Sequence, residues 1–232
     1  MQEGYSKANH TQARITMQEI NTIYKYDNTE ILTLTIIYPR VGLEQNPDVE
    51  RRINDHITLQ VDQYLDHARE LYQQALQSYL ELQEQGFPFH TWDARMDFSI
   101  TYNDNCFLSM YTDRYEYTGG AHGNTIRTSE TWELTSGTQR TLGSFFESGV
   151  DYRELLVDEI IRQADANMAQ EPGIYFEDYR ELIAETFNPE SFYLTPEGLV
   201  IYFQQYDIAP YSTGIVEFTI PYEFIGWCPQ CP

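Results

Sequence analysis

The stretch from Asn46 to Gly86 constrains the fold more than any other part of the chain. Within it Val49, Ile53, Ile57, Val61, Leu65, Ala68, Tyr72, Leu76, Tyr79 and Leu82 recur at close to the α-helical period of about 3.6 residues. Asn46 suits an N-cap, Pro47 the first helical position and Gly86 the stop, with Pro88 just beyond. The spacing predicts one helix over 46–85, roughly 60 Å long at about 1.5 Å per residue. Its apolar stripe is one-sided, so it lies across a sheet. A coiled-coil seam would keep a stricter heptad repeat.

Around this helix the chain reads mostly as hairpins. Residues 12–26 and 29–38 form a strand pair about Asp27-Asn28, closed by Pro39 and Gly42. Residues 90–103 and 105–117 form a second pair about Asn103-Asp104-Asn105, and 124–134 with 138–142 a third. A second helix fits 151–169, capped by Asp151 and burying Leu155, Leu156, Ile160, Ile161, Ala164 and Met168. A shorter helix fits 175–187, and strands fit 191–194, 199–206 and 214–220. Strands that neighbour in sequence, without regular helical alternation, predict an α+β fold with antiparallel sheets. The expected organisation is two intertwined halves, 12–118 and 119–226, with a cysteine-containing tail at 227–232.

Charge excludes several partners. There are 36 acidic against 14 basic residues among 232, a formal net charge of −22, and no Lys or Arg follows Arg180. Such a field repels nucleic acid and anionic membrane surfaces and favours cationic partners. No apolar run reaches the length of a membrane span, and residues 1–20 hold no signal-peptide core. The chain is therefore cytoplasmic if Met1 is the native start, and extracytoplasmic if a leader or anchor was removed.

Motifs for chemistry are few. Gly119-Gly120-Ala121-His122-Gly123 lacks the Lys-Ser/Thr of a P-loop, and neither G-x-S-x-G nor HExxH occurs. Cofactor and metal are both read as none. Cys106 falls in a strand-like run, while Cys228 and Cys231 form a C-x-x-C in the tail. That pair is a zinc half-site, a redox pair, a small disulfide loop or an inconsequential chain end. No second half-site completes a zinc centre, and the reading taken is the inconsequential end.

Two segments stand out as candidate sites. In Tyr117–Asn124 three glycines flank His122, almost the only ionisable side chain of the stretch. In Phe203–Gly214 a strand gives way to a loop presenting Tyr206, Asp207 and Tyr211. Tyr117, Gly119, Gly120, His122, Tyr206, Asp207 and Tyr211 are the candidate ligand-binding residues, and no catalytic residue is assigned. His122 reads first as a structural hydrogen-bonding residue, because no orienting partner is evident nearby.

These segments, with Tyr38-Pro39, the long helix and the closing Ile220-Pro221-Tyr222, resemble the extracytoplasmic domain of RsiV-type anti-sigma factors. The same tandem module is similar to the region preceding the catalytic domain of PdaC-type peptidoglycan deacetylases. The resemblance covers about residues 12–226. It implies a non-enzymatic binding or sensing module, recognising a cationic protein such as lysozyme or a cell-wall fragment. No transmembrane helix, sigma-binding segment or deacetylase domain is present, so signalling and deacetylation do not carry over. The rival expectation is a glycan- or peptidoglycan-acting enzyme using His122 with carboxylates. A metal-binding structural protein would need carboxylates converging from separate loops.

Overall fold

The computed structural model describes residues 11–231. The readings made for residues 1–10 and for Pro232 lie outside them. Nine strands form two sheets. β1 (Arg14–Tyr26), β2 (Thr29–Gly42), β3 (Trp92–Asp104), β4 (Phe107–Tyr117), β5 (Asn124–Glu133) and β6 (Thr138–Gln139) make one, in that spatial order. β7 (Phe192–Leu194), β8 (Gly198–Phe203) and β9 (Val216–Pro221) make the other. α1 (Pro47–Gln85) joins β2 to β3, while α2 (Tyr152–Gln170), α3 (Tyr179–Thr186) and a terminal turn α4 (Tyr222–Ile225) serve the second sheet. The α+β expectation holds, with one exception to antiparallel pairing. β2 and β3 run parallel from Leu32↔Trp92 to Ile37↔Asp97, because α1 carries the chain back along the sheet before β3 begins.

α1 starts and stops where its capping residues place it. The Asn46 side chain accepts from Val49 N, and Gly86 closes the helix at φ 75°, where a glycine pays no side-chain penalty. The buried stripe runs through Val49, Ile53, Ile57, Val61, Tyr64, Ala68, Leu71, Ala75 and Tyr79. Past Val61 it falls one residue ahead of expectation at Tyr64, Leu71 and Ala75, leaving Leu65, Tyr72 and Leu76 on the flank, while Ala68 and Tyr79 are buried as expected. This stripe packs on Leu32, Leu34, Ile36, Ala94, Met96, Leu108 and Met110 of the large sheet.

β2 continues through Pro39 to Gly42 instead of ending there. Its pairing with β3 stops at Ile37, so the missing proline N–H falls where β2 has no second neighbour. The second hairpin turns at Asn105-Cys106, not at Asn103-Asp104-Asn105, and both turn residues have positive φ, 47° and 66°. Cys106 thus sits in a tight turn and not within a strand.

The opposite face of the large sheet, at its β4–β5 end, carries the small sheet. Tyr193 and Tyr202 of the small sheet face Tyr111, while Phe192, Leu194, Leu199, Ile201, Phe203, Phe218 and Ile220 face α2 and α3. β8 is covered on both sides, which explains its unbroken apolar run. α2 starts at the expected cap, Asp151 accepting from Glu154 N, and buries Leu156, Val157, Ile160 and Ala164. Leu155, Ile161 and Met168 are only half-buried.

The cysteine-containing tail is part of the fold. Cys231 forms a disulfide with Cys106, 125 residues away, leaving Cys228 as an exposed thiol. The reading of 227–232 as an inconsequential end is corrected by this bond. A C-x-x-C spacing does not reveal that one of its members has a distant partner. Trp227 adds to the anchor, its ring lying edge-on to Phe107, Phe145 and Tyr222.

One titratable contact ties α1 to β5. His56 Nε2 lies 2.8 Å from Glu130 Oε2, and the imidazole packs edge-on to Trp132. The hydrogen bond to Glu130 outweighs burial and raises the His56 pKa above 6.5. A raised folded-state pKa contributes stability that is complete below the unfolded value and fades as pH rises through the folded value. The stability gap between wild type and His56→Gln is therefore expected to be full below the unfolded value of about 6.5 and to shrink as pH rises above it. Paired thermal melts across that range check it.

Candidate functional site

The glycine-rich connection between β4 and β5 is built by two different requirements. Gly119 adopts φ 86°, which side chains avoid. A Cβ on Gly123 would land on the Tyr115 ring, so this position needs a bare backbone. Gly120 meets neither demand.

The second segment leaves β8 at Phe203 and turns at once. Gln204 N donates to Asp207 Oδ2 at 2.8 Å, and Asp207 N returns a bond to Gln204 O at 3.1 Å. Burial raises the Asp207 pKa, opposed by the Gln204 bond. Asp207 is thus occupied in holding its own loop. The two glutamines dock that loop on β5: Gln204 Oε1 accepts from Arg127 N, Gln204 Nε2 donates to Arg127 O, and Gln205 Oε1 accepts from Thr125 N. Side-chain amides therefore take the place of a neighbouring strand along this part of β5.

This docking brings the two candidate segments together. His122 stacks on Tyr211 with ring centroids 3.8 Å apart and planes 18° from parallel. Tyr206 lies 6.0 Å from Tyr211, and its hydroxyl is 3.4 Å from His122 Nε2. His122 Nδ1 is 3.0 Å from the Gly123 carbonyl, so Nδ1 carries the proton and donates. In the neutral ring Nε2 then accepts from Tyr206. Tyr206 is half-exposed and holds φ 69°, a conformation costing a non-glycine residue about 1–2 kcal/mol. Strain of this kind concentrates where side chains are held for use.

Of the residues singled out in the sequence, His122, Tyr206 and Tyr211 form one cluster, with Asp207 supporting it. Gly119 lies against Trp92, and Tyr117 pairs with Asp93 at the β3 side of the hairpin. Among the described residues, no carboxylate pairs or hydrogen-bonds with the His122 ring. Also among them, no three His, Cys, Asp or Glu side chains are grouped to hold a metal ion. No helix among them is long and apolar enough to cross a membrane.

Where Gln204 docks on β5, Arg127 also belongs to a buried charge group that motif reading did not find. Arg127 on β5 is 7% exposed. It makes a two-pronged bond to Asp113 at 2.7 and 2.7 Å, pairs with Glu217 of β9, and lies 3.6 Å from the Tyr111 ring centre. Burial opposes its charge, but the bonds and charge of Asp113, with Glu217 behind them, raise its pKa further. Nothing local marks Arg127, since Asp113 and Glu217 come from different strands. The only available signal was an isolated cation in an alternating strand.

Comparison with known families divides the chain in two. Residues 26–125 match the family model described as Deacetylase PdaC, and residues 143–223 match that of a Protein of unknown function (DUF3298). No curated protein matches. Among solved structures, a DUF3298-family member from Bacteroides fragilis aligns with a TM-score of 0.72 at 22% identity, covering 92% of each chain. A DUF3298-family protein from Pseudomonas aeruginosa aligns at 0.59 and 17% identity, covering 92% of this chain and 93% of that one. At such identities these likenesses speak to fold alone. This chain carries a PdaC-type segment followed by a DUF3298-type segment, on a fold shared with solved DUF3298-family proteins.

Proposed function

We propose that this chain is a binding module, and that a cell-wall glycan rests against the His122–Tyr211–Tyr206 platform. The observation that carries the reading is the exposed aromatic stack itself. Three rings from two loops are fixed by backbone-docked glutamines, at the cost of a strained Tyr206. Flat rings with polar edges offer large contact area at low entropy cost, suited to the alternating C–H and hydroxyl faces of a sugar. An enzyme cleaving glycans needs two facing carboxylates. The bonds of His122 run to a carbonyl and a tyrosine instead.

The charge of −22 favours a second reading, in which the partner is a cationic protein such as lysozyme, as the resemblance to RsiV-type anti-sigma factors implies. The Cys106–Cys231 disulfide supports an oxidising, extracytoplasmic setting for either partner. Titration with soluble muropeptides and with lysozymes, at low and high salt, tests both. Glycan binding is expected to be saturable and nearly salt-independent. Lysozyme binding would weaken steeply as salt screens the field. Absence of saturable binding to either removes the reading, and appearance of cleaved glycan would transfer it to the enzyme class.

A further inference from the structure

We propose that the groove between α1 and the β4–β5 hairpin is a second binding site, which takes a small carboxylate-bearing ligand on Arg114. The groove has a volume of about 360 Å³ and is walled by Gln63, Tyr64 and His67 on the helix and by Arg114, Glu116, Asn124 and Ile126 on the strands. It lies on the opposite face of the large sheet from Arg127 and the small sheet, and neither His122 nor Tyr211 borders it. The proposal therefore goes beyond the platform and does not depend on it.

Arg114 carries the argument. Its Nε is buried and has no hydrogen-bond partner, and among the described residues no carboxylate pairs with it. An unpartnered guanidinium is anomalous in a chain with 36 carboxylates. The nearby acids are engaged elsewhere. Glu116 is bonded to His67 at 2.8 Å, and Glu130, in a separate pocket that Arg114 also lines, is paired with His56 at 2.8 Å. With His67 and His56 occupying these glutamates, Arg114 lines the groove without an ion-pair partner among the described residues. A planar guanidinium fork matches a carboxylate with two parallel bonds. The negative Glu116 in the wall disfavours a dianion such as phosphate, so a single negative charge is the better fit. Gln63 and Asn124 supply amides for a polar body, and Ile126, 53% exposed, supplies an apolar contact. The space suits a ligand the size of an acylated amino acid.

The whole chain is titrated with N-acetylalanine, acetate and inorganic phosphate, by calorimetry and by the Arg114 Nε–H resonance in NMR. N-acetylalanine is expected to bind saturably, with acetate weaker. Arg114→Gln is expected to weaken it at least about tenfold and Arg114→Lys by less, since lysine lacks the fork. Should Arg114→Gln fail to fold, the resonance in the wild-type protein decides, a saturable shift supporting the proposal and a stationary signal overturning it. Absence of saturable carboxylate binding overturns it. So does binding indifferent to Arg114→Gln, or Arg114-dependent binding of phosphate in preference to N-acetylalanine.

Discussion

Replacing Arg127 with methionine is expected to destabilise the protein by about 3–5 kcal/mol, the scale for removing one partner of a buried ion pair. Methionine retains much of the side-chain volume, so the loss reports charge and hydrogen bonding more than a cavity. The substitution strands Asp113 beneath the small sheet without its two-pronged donor and removes the cation lying on Tyr111. It also frees Glu217 from its ion pair with β5, loosening the contact between the two sheets. For a chain of this size the melting temperature is expected to fall by roughly 10 °C. Urea unfolding followed by circular dichroism gives the free energy directly. A loss below about 1 kcal/mol would mean that solvent already screens this group as it screens a surface pair.

Reduction of the Cys106–Cys231 disulfide, or Cys231→Ser, is expected to cost a comparable amount. The bond spans 125 residues, and chain-entropy arguments assign about 4.7 kcal/mol to a loop of about 100 residues, with measured values more often 2–4. The tail also carries Trp227 against Phe107 and Phe145, and a freed tail gives up part of that packing. Urea midpoints measured with and without reductant are expected to differ by about 2–4 kcal/mol in free energy. Coincident midpoints would show that the closed loop contributes nothing. Cys228→Ser is expected to change little, because its thiol is exposed and outside the bond.

These two predictions rest on features that local sequence does not display. α1 was legible to the residue because helix signals are local: Asn46, Pro47 and Gly86 act within one turn of where they stand. Its stripe was misplaced only past Val61, where Leu65 and Tyr72 look as apolar as the buried Tyr64 and Leu71. Hairpins were legible for the same local reason. The Asn105-Cys106 turn was placed early because Asn103-Asp104-Asn105 carries stronger turn residues than a cysteine does. Pairing at long range was not legible. The parallel β2–β3 register depends on where a long helix returns the chain, and the disulfide depends on where Cys106 lies in space.

The candidate site was half legible. The glycines pointed to unusual backbone, and Gly119 and Gly123 have it. The tyrosine loop pointed to presented aromatics. That His122 stacks on Tyr211 required knowing that Gln204 and Gln205 dock their loop on β5, and glutamine is too common on surfaces to announce such a role. Arg127 and Arg114 differ in nothing that a window of sequence reveals. One is saturated by two acids between the sheets, and the other lines a groove with its Nε unpartnered.

The claim that this chain binds its ligand on the aromatic platform is tested most directly by NMR. The ring signals of His122, Tyr206 and Tyr211 are followed while soluble muropeptides, and separately lysozyme, are added to the isotopically labelled protein. Saturable shifts of these three rings, abolished by Tyr211→Ala in a protein that still melts cooperatively, are the predicted result. Saturable binding that leaves all three rings unmoved would contradict it.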